Sequence, residues 1–220
     1  MDRPTHTHGQ APAGAPQGKT WDEWYAESEQ VWSGRPNVVL VRETAGTEPG
    51  RALDLGCGEG ADAIWLAGQG WHVTAADVSR VALGRASEHA AAAGVADRID
   101  WQQHDLGTSF PDGTFDLVSA QFLHAYGDLP REEILRKAAG AVAPGGTLLI
   151  ESHGGFPPWE HGHDADIGFP TPDEVVADLQ LPDGEWKVLI SEEHERTQTR
   201  PDGAQGTRTD STVKLRRKIQ

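Results

Sequence analysis

The stretch "ALDLGCGEGADAIWLA", residues 52–67, decides how the rest of the chain is read. An apolar run of strand length breaks on Gly56, Gly58 and Gly60 and then continues with apolar residues at helical spacing. A strand, a glycine turn and a helix make the first βα turn of an α/β sheet. Ligands of such sheets bind at the carboxyl ends of the strands, close to this turn. The function of the chain therefore rests on which ligand the turn faces.

Outward from it, strands and helices alternate. "RALDL" (51–55), "HVTAAD" (72–77), "RIDWQQ" (98–103), "FDLVSAQF" (115–122) and "TLLIES" (147–152) read as strands. Between them, "ADAIWLAGQG" (61–70), "SRVALGRASEHAAAAG" (79–94) and "PREEILRKAAGAV" (130–142) read as helices. Ser79 is placed to cap the second of these and Gly94 to close it. "TPDEVVADL" (171–179) is a short helix capped by Thr171. "EWKVLISEEHE" (185–195) and "TDSTVKLRRK" (209–218) flank the turn "RPDGAQG" (200–206), which makes a closing hairpin. Ahead of the glycine strand, "WDEWYAESEQVW" (21–32) carries Trp21, Trp24, Tyr25 and Trp32 at roughly helical spacing. "SGRPN" breaks that segment, and Pro36 can open the next helix, "NVVLVRETA" (37–45). The expected fold is a doubly wound, mostly parallel seven-stranded α/β sheet with an antiparallel edge hairpin, one domain over residues 20–217. Residues 1–19, rich in Pro, Gly, Ala and His without apolar periodicity, read as a disordered arm.

Composition narrows the partners. The 220 residues carry a formal charge of −15, from 19 basic and 34 acidic side chains. A surface that acidic repels phosphate backbones, which argues against nucleic acid as a partner. The single cysteine, Cys57, cannot form a disulfide within the chain, so a reducing, cytoplasmic setting is expected. There is no run of about 18 apolar residues, so no membrane span is expected.

For the turn itself, a phosphate loop would need Lys followed by Ser or Thr, where this chain has Ala61-Asp62-Ala63. A dinucleotide is harder to dismiss: Gly56, Gly58 and Ala61 fit G-x-G-x-x-G/A, and Asp77 follows at ribose distance. Charge opposes it. Asp54, Glu59 and Asp62 surround the turn and would repel a pyrophosphate, whereas they would attract a ligand with a cationic amine. Cys57, among those carboxylates, should have a raised pKa and be inert as a nucleophile.

At this point the chain resembles the class I SAM-dependent methyltransferases. "LDLGCGEG" (53–60) is similar to their glycine-rich signature, "FDLVSAQFLH" (115–124) to their fourth-strand segment and "APGGTLLI" (143–150) to the turn into their fifth strand. The resemblance implies S-adenosylmethionine as cofactor, held around Asp54, Gly56, Cys57 and Gly58. It places Asp77, ending "TAAD" with Val78 beside it, on the ribose. It places Asp105 of "QHDL", with Leu106, at the adenine, and Gln121 where the transfer pocket begins. The front segment is similar to the bacterial tellurite-resistance and thiopurine-methyltransferase-like group, which implies Trp24 and Trp32 as a lid and Arg35 at the methionine carboxylate. The implied reaction is methyl transfer to a small-molecule acceptor through S, a chalcogen, O or N. The alternatives are a non-catalytic SAM-binding regulator and an NAD-dependent reductase.

Histidines follow the fourth and fifth strands. "ESHGGFPPWEHGHDAD" (151–166) carries His153, His161 and His163, and His124 ends the fourth-strand segment. His124 and His153, nearest the strand ends, are candidate general bases. His161 and His163, with Asp164, His153 and Glu151, offer ligands for a metal, although H-x-H on a loop is not a specific spacing. A third reading leaves the histidines as solvated loop residues with Trp159 over the pocket. Acidic neighbours would raise the pKa of any base here and weaken it at neutral pH.

Overall fold

β1 (Arg51–Leu55) is buried at four of its five positions, as suits a central parallel strand covered on both faces. The structure, a computed structural model, describes residues 18–124, 129–159, 169–200 and 202–219. On one side of β1 lie β2 (His72–Asp77) and β3 (Ile99–Gln103). On the other lie β4 (Phe115–Gln121), β5 (Val142–His153), β7 (Gln205–Arg217) and β6 (Trp186–Thr199), giving the order β3-β2-β1-β4-β5-β7-β6. The first five strands are mutually parallel, and β7 runs antiparallel to both of its neighbours. This is the expected seven-stranded sheet with an antiparallel edge.

One face packs Leu53, Leu55, Leu148, Ile150 and Leu215 against α5 (Arg131–Gly140) and α6 (Pro172–Asp178). The other packs Ala52, Val73, Ala75 and Leu149 against α2 (Val38–Thr44) and α3 (Ala61–Gly68). α4 (Arg80–Ala92) is capped by Ser79, which accepts the Ala82 N–H, and α6 carries a capping box between Thr171 and Glu174.

Four expectations are corrected. The aromatic segment is helical only over α1 (Trp21–Ala26), because Val31 and Trp32 give their N–H groups to the Glu59 carboxylate instead of to a helix. α2 begins at Val38 rather than at Pro36, since Asp62 holds both the backbone and the side-chain amide of Asn37. β5 starts before the expected "TLLIES". Pro144-Gly145-Gly146 is a register shift within the strand, with Gly145 at φ +83. The hairpin strands also run longer than expected, pairing Thr199 with Gln205 well beyond the last β5–β7 pair, His153 with Asp210. That projecting arm holds the segment after β5: Gly154 N–H reaches Thr209, Arg208 reaches the Gly155 carbonyl, and Trp159 lies on Gly206. Of the arm expected over residues 1–19, positions 1–17 lie outside the described residues.

Candidate active site

The glycine turn is built by backbone rather than side chains. Gly56, Gly58 and Gly60 all take positive φ, at 73°, 54° and 84°. Left-handed geometry lets Gly56 and Cys57 both donate to the Ala76 carbonyl, which locks the turn to the end of β2. Gly58 N–H then donates to Asp77 Oδ2 at 2.8 Å, and Ser79 N–H to Oδ1 at 2.9 Å. Asp77 is thereby fixed beside the turn, and each of its oxygens keeps a lone pair. A side chain at Gly58 would meet the Tyr25 hydroxyl at 3.0 Å and the Trp32 indole nitrogen at 3.2 Å. Trp32 Nε1 donates to Tyr25 Oη at 2.8 Å, and the Trp24 ring lies 5.6 Å from that of Trp32. The aromatic segment therefore sits on the glycine turn.

The acids of the turn divide their work in a way the sequence does not disclose. Glu59 does not face a ligand. It accepts from Val31 and Trp32 and from Arg85 Nη1 at 2.9 Å, while Arg85 also holds the Tyr25 and Ser28 carbonyls. Its carboxylate clasps the aromatic segment. Asp62 likewise holds Asn37. Asp54 is 2% exposed and accepts from the Ala63 N–H, and its Oδ2 has no partner among the described residues. Burial pushes the carboxyls of Asp54, Asp62 and Asp77 upward, and for Asp54 the charges of Asp62 and Asp77 add to the shift. Burial and the same carboxylates push the Cys57 thiol up, in line with an inert cysteine.

Other expected positions are less tightly drawn in. Asp105 is exposed and caps its own turn through the Gly107 N–H, with buried Leu106 beneath it. Val78 is exposed at the end of β2. Arg35 is exposed, and its guanidinium makes no hydrogen bond or ion pair among the described residues. Gln121, 8% exposed, donates to Ser119 Oγ, and its Oε1 has no partner among the described residues.

At the ends of β4 and β5 the rings of His124 and His153 stack, with centroids 4.5 Å apart. Phe122, at φ +55, presents its ring 4.6 Å from His153, with the Arg196 guanidinium 5.3 Å from its centre. Burial drives His124 down to about 3. His153 is lowered as well, chiefly by burial, although Asp210 opposes the shift. The expected acid-raised base is thus corrected: burial outweighs the acidic partner, and the ring is neutral near pH 7. Sequence reasoning missed Asp210, Arg196 and Tyr25. A charge at an inward position of "TDSTVKL" was the available sign of Asp210. His161 and His163 lie outside the described residues, and no group of three metal-binding side chains occurs among the described ones.

Residues 52–146 match the family model described as a methyltransferase domain. Over that region and its flanks the chain is similar to SAM-dependent methyltransferases, as its named relatives are. It is 34% identical over 137 residues to 27-O-demethylrifamycin SV methyltransferase of Amycolatopsis mediterranei, covering 59% of this chain and 48% of that one. It is 28% identical over 149 residues to probable thiol methyltransferase 2 of Arabidopsis thaliana, covering 64% and 66%. The chain thus spans about half to two thirds of these relatives' length. The crystal structure of TehB from Haemophilus influenzae superposes with a TM-score of 0.63 at 17% identity, over 90% of this chain and 66% of that one, which supports the fold. S-adenosylmethionine is the cofactor of such a domain, and the methyltransferase turn fits it. Asp54 offers an unpartnered buried oxygen for a cationic amine. The Arg85 guanidinium is committed to Glu59 and is not free for a phosphate at the turn.

Proposed function

We propose that the chain transfers a methyl group from S-adenosylmethionine to a small-molecule acceptor, with residues 20–217 as one catalytic unit. When bound, the cofactor supplies a methyl group already activated on a sulfonium. Gly56, Cys57 and Gly58 would cradle it through their backbone, Asp54 would attract its amine, and Asp77 and Val78 would hold its ribose. Asp105 and Leu106 would bound its adenine. Trp24 and Trp32 would exclude water over it, with Arg35 at its carboxylate. Gln121 would face the junction with the acceptor. His153 would take the proton of the acceptor, and His124, too weak a base at a pKa of about 3, would pack behind it.

The observation that carries this reading is the Asp77 carboxylate, pinned by Gly58 and Ser79 at the carboxyl end of β2 beside three left-handed glycines. The acidic charge supports a small molecule over nucleic acid, and the single cysteine supports a cytoplasmic setting. No described helix is long and apolar enough to cross a membrane. Equilibrium dialysis of S-adenosylhomocysteine against Asp77→Ala tests the site. Two charge-assisted hydrogen bonds are worth roughly 100-fold or more in affinity, so unchanged binding would remove Asp77 from the site. NADH binding in a parallel titration would revive the reductase alternative. Binding without turnover on any acceptor would favour a regulator.

A further inference from the structure

His153 and His124 stack on one another, yet only His153 has a buried carboxylate behind it. The β5–β7 register sets His153 directly opposite Asp210, and Nδ1 lies 2.9 Å from Asp210 Oδ1. Asp210 is 0% exposed and also holds Arg196 from β6 and Arg208 from its own strand. Those cations and the hydrogen bond from His153 keep its carboxyl below the usual range despite burial, so it is charged near neutrality. A charged carboxylate can only accept. The hydrogen on this bond therefore belongs to His153 Nδ1, and the neutral ring carries its lone pair on Nε2. No described residue bonds Nε2. Among the described residues, the groups facing the ring are the neutral His124 after β4, Arg196 of β6, and Asp210 and Arg208 of β7. Glu151, two residues back on β5, is engaged with His194 and Thr212.

We propose that His153 and Asp210 form a proton-accepting pair that selects acceptors with a removable proton, a phenolic hydroxyl in the first place, with Asp210 as the positioning residue. The proposal rests on the methyl-transfer reading. The acceptor O–H bond breaks and its proton passes to His153 Nε2. The oxygen lone pair forms the new C–O bond as the carbon–sulfur bond breaks, and that electron pair stays on sulfur to give a neutral thioether. The imidazolium left behind is held by the Asp210 charge until it loses its proton to water. The Phe122 ring, 4.6 Å from that of His153, puts an aromatic wall beside the pair, which suits an aromatic acceptor. A thiolate or other soft anion brings no proton and makes no use of the pair.

The test has two arms. In the first, ¹⁵N-histidine spectra of the full chain with S-adenosylhomocysteine are followed against pH. The pair requires His153 neutral at pH 7 with its proton on Nδ1, and an Nε2–H tautomer or a cation at that pH would overturn it. In the second, radiolabelled methyl transfer is measured with catechol and with 2-mercaptoethanol. His153→Asn keeps a donor for Asp210 but cannot take a proton, so catechol methylation should fall roughly 100-fold or more. Asp210→Asn should lower it less and move the acid limb of the pH profile to lower pH, because the raising effect of Asp210 on His153 is lost. Methylation of the thiol alone, or catechol profiles unmoved by either variant, would refute the pair. If neither probe is methylated, the tautomer decides. Loss of S-adenosylhomocysteine binding in the wild-type chain would instead refute the methyl-transfer reading.

Discussion

Glu59→Ala should release the aromatic segment from the glycine turn. The Glu59 side chain is 4% exposed and accepts from Arg85 at 2.9 Å, from Trp32 N–H at 2.9 Å and from Val31 N–H at 3.1 Å. Breaking a buried ion pair costs about 3–5 kcal/mol, because the surviving charge has lost its partner. Arg85 is 19% exposed, and the freed N–H groups lie on a segment that water reaches, so the low end applies, about 3 kcal/mol. If the segment unfolds with the whole domain, the melting temperature drops by roughly 6–12 °C at 2–4 °C per kcal/mol. If it opens locally, the melt barely moves. Tryptophan emission then shifts to the red, and binding of S-adenosylhomocysteine weakens by about 100-fold, since the ligand must first reclose the segment. Thermal melts, emission spectra and titration calorimetry on one preparation separate the two cases. Glu59→Gln, which keeps an acceptor oxygen without the charge, should fall between. If the melt, the emission and the affinity of Glu59→Ala all match the wild type, the clasp has no energetic role and the argument fails.

Gly60→Ala should destabilise the fold by about 2–4 kcal/mol, from left-handed strain and overpacking. The backbone is at φ +84, and the new methyl would lie 2.7 Å from the Trp101 ring and 2.8 Å from Ala86 Cβ. A urea midpoint equal to the wild type would contradict this. Binding of S-adenosylhomocysteine on the acid side of neutrality should release protons. The carboxyls of Asp54, Asp62 and Asp77 sit above their unfolded values, so their ionisation costs stability as pH rises from about 3.8 through the raised values. A cationic amine among them pulls those values back down. Calorimetry in two buffers of different ionisation enthalpy measures the proton count, and net uptake would place the amine elsewhere.

Most of the sheet was legible because the inner parallel strands β1, β2 and β4 are short, largely apolar runs bounded by turn residues, and local pattern decides such elements. The glycine turn was legible for a related reason: three left-handed positions in five residues leave little choice but glycine. What failed was whatever long-range contacts decided. Residues 27–32 continue a helical pattern, yet Glu59, nearly thirty residues away, takes the N–H groups that a helix would need. Pro36 is a good first helical residue, but the Asp62 carboxylate stops the chain one step later at Asn37. In both places an acid of the turn overrode a local preference.

The same acids show why a charge argument drawn from sequence can reach the right ligand for an incomplete reason. Counting Asp54, Glu59 and Asp62 as one negative field assumed that all three face the cofactor. Two of them instead tie down residues 31–37, and their charges are met by Arg85 and by amides. The field that remains comes from Asp54 and Asp77, the two acids with oxygens not fully engaged at the turn. The preference for a cationic amine over a pyrophosphate therefore survives with fewer charges, because the oxygens not fully engaged at the turn are carboxylate oxygens and Arg85 is committed to Glu59. The clasp also couples the two halves of the site. Glu59 belongs to the turn that would cradle the cofactor, and the residues it holds belong to the lid that would cover it. Any shift of the turn on binding is passed to Trp32 through the Glu59 carboxylate and through the packing of Trp32 and Tyr25 on Gly58, which would make tryptophan emission a reporter of the occupied turn.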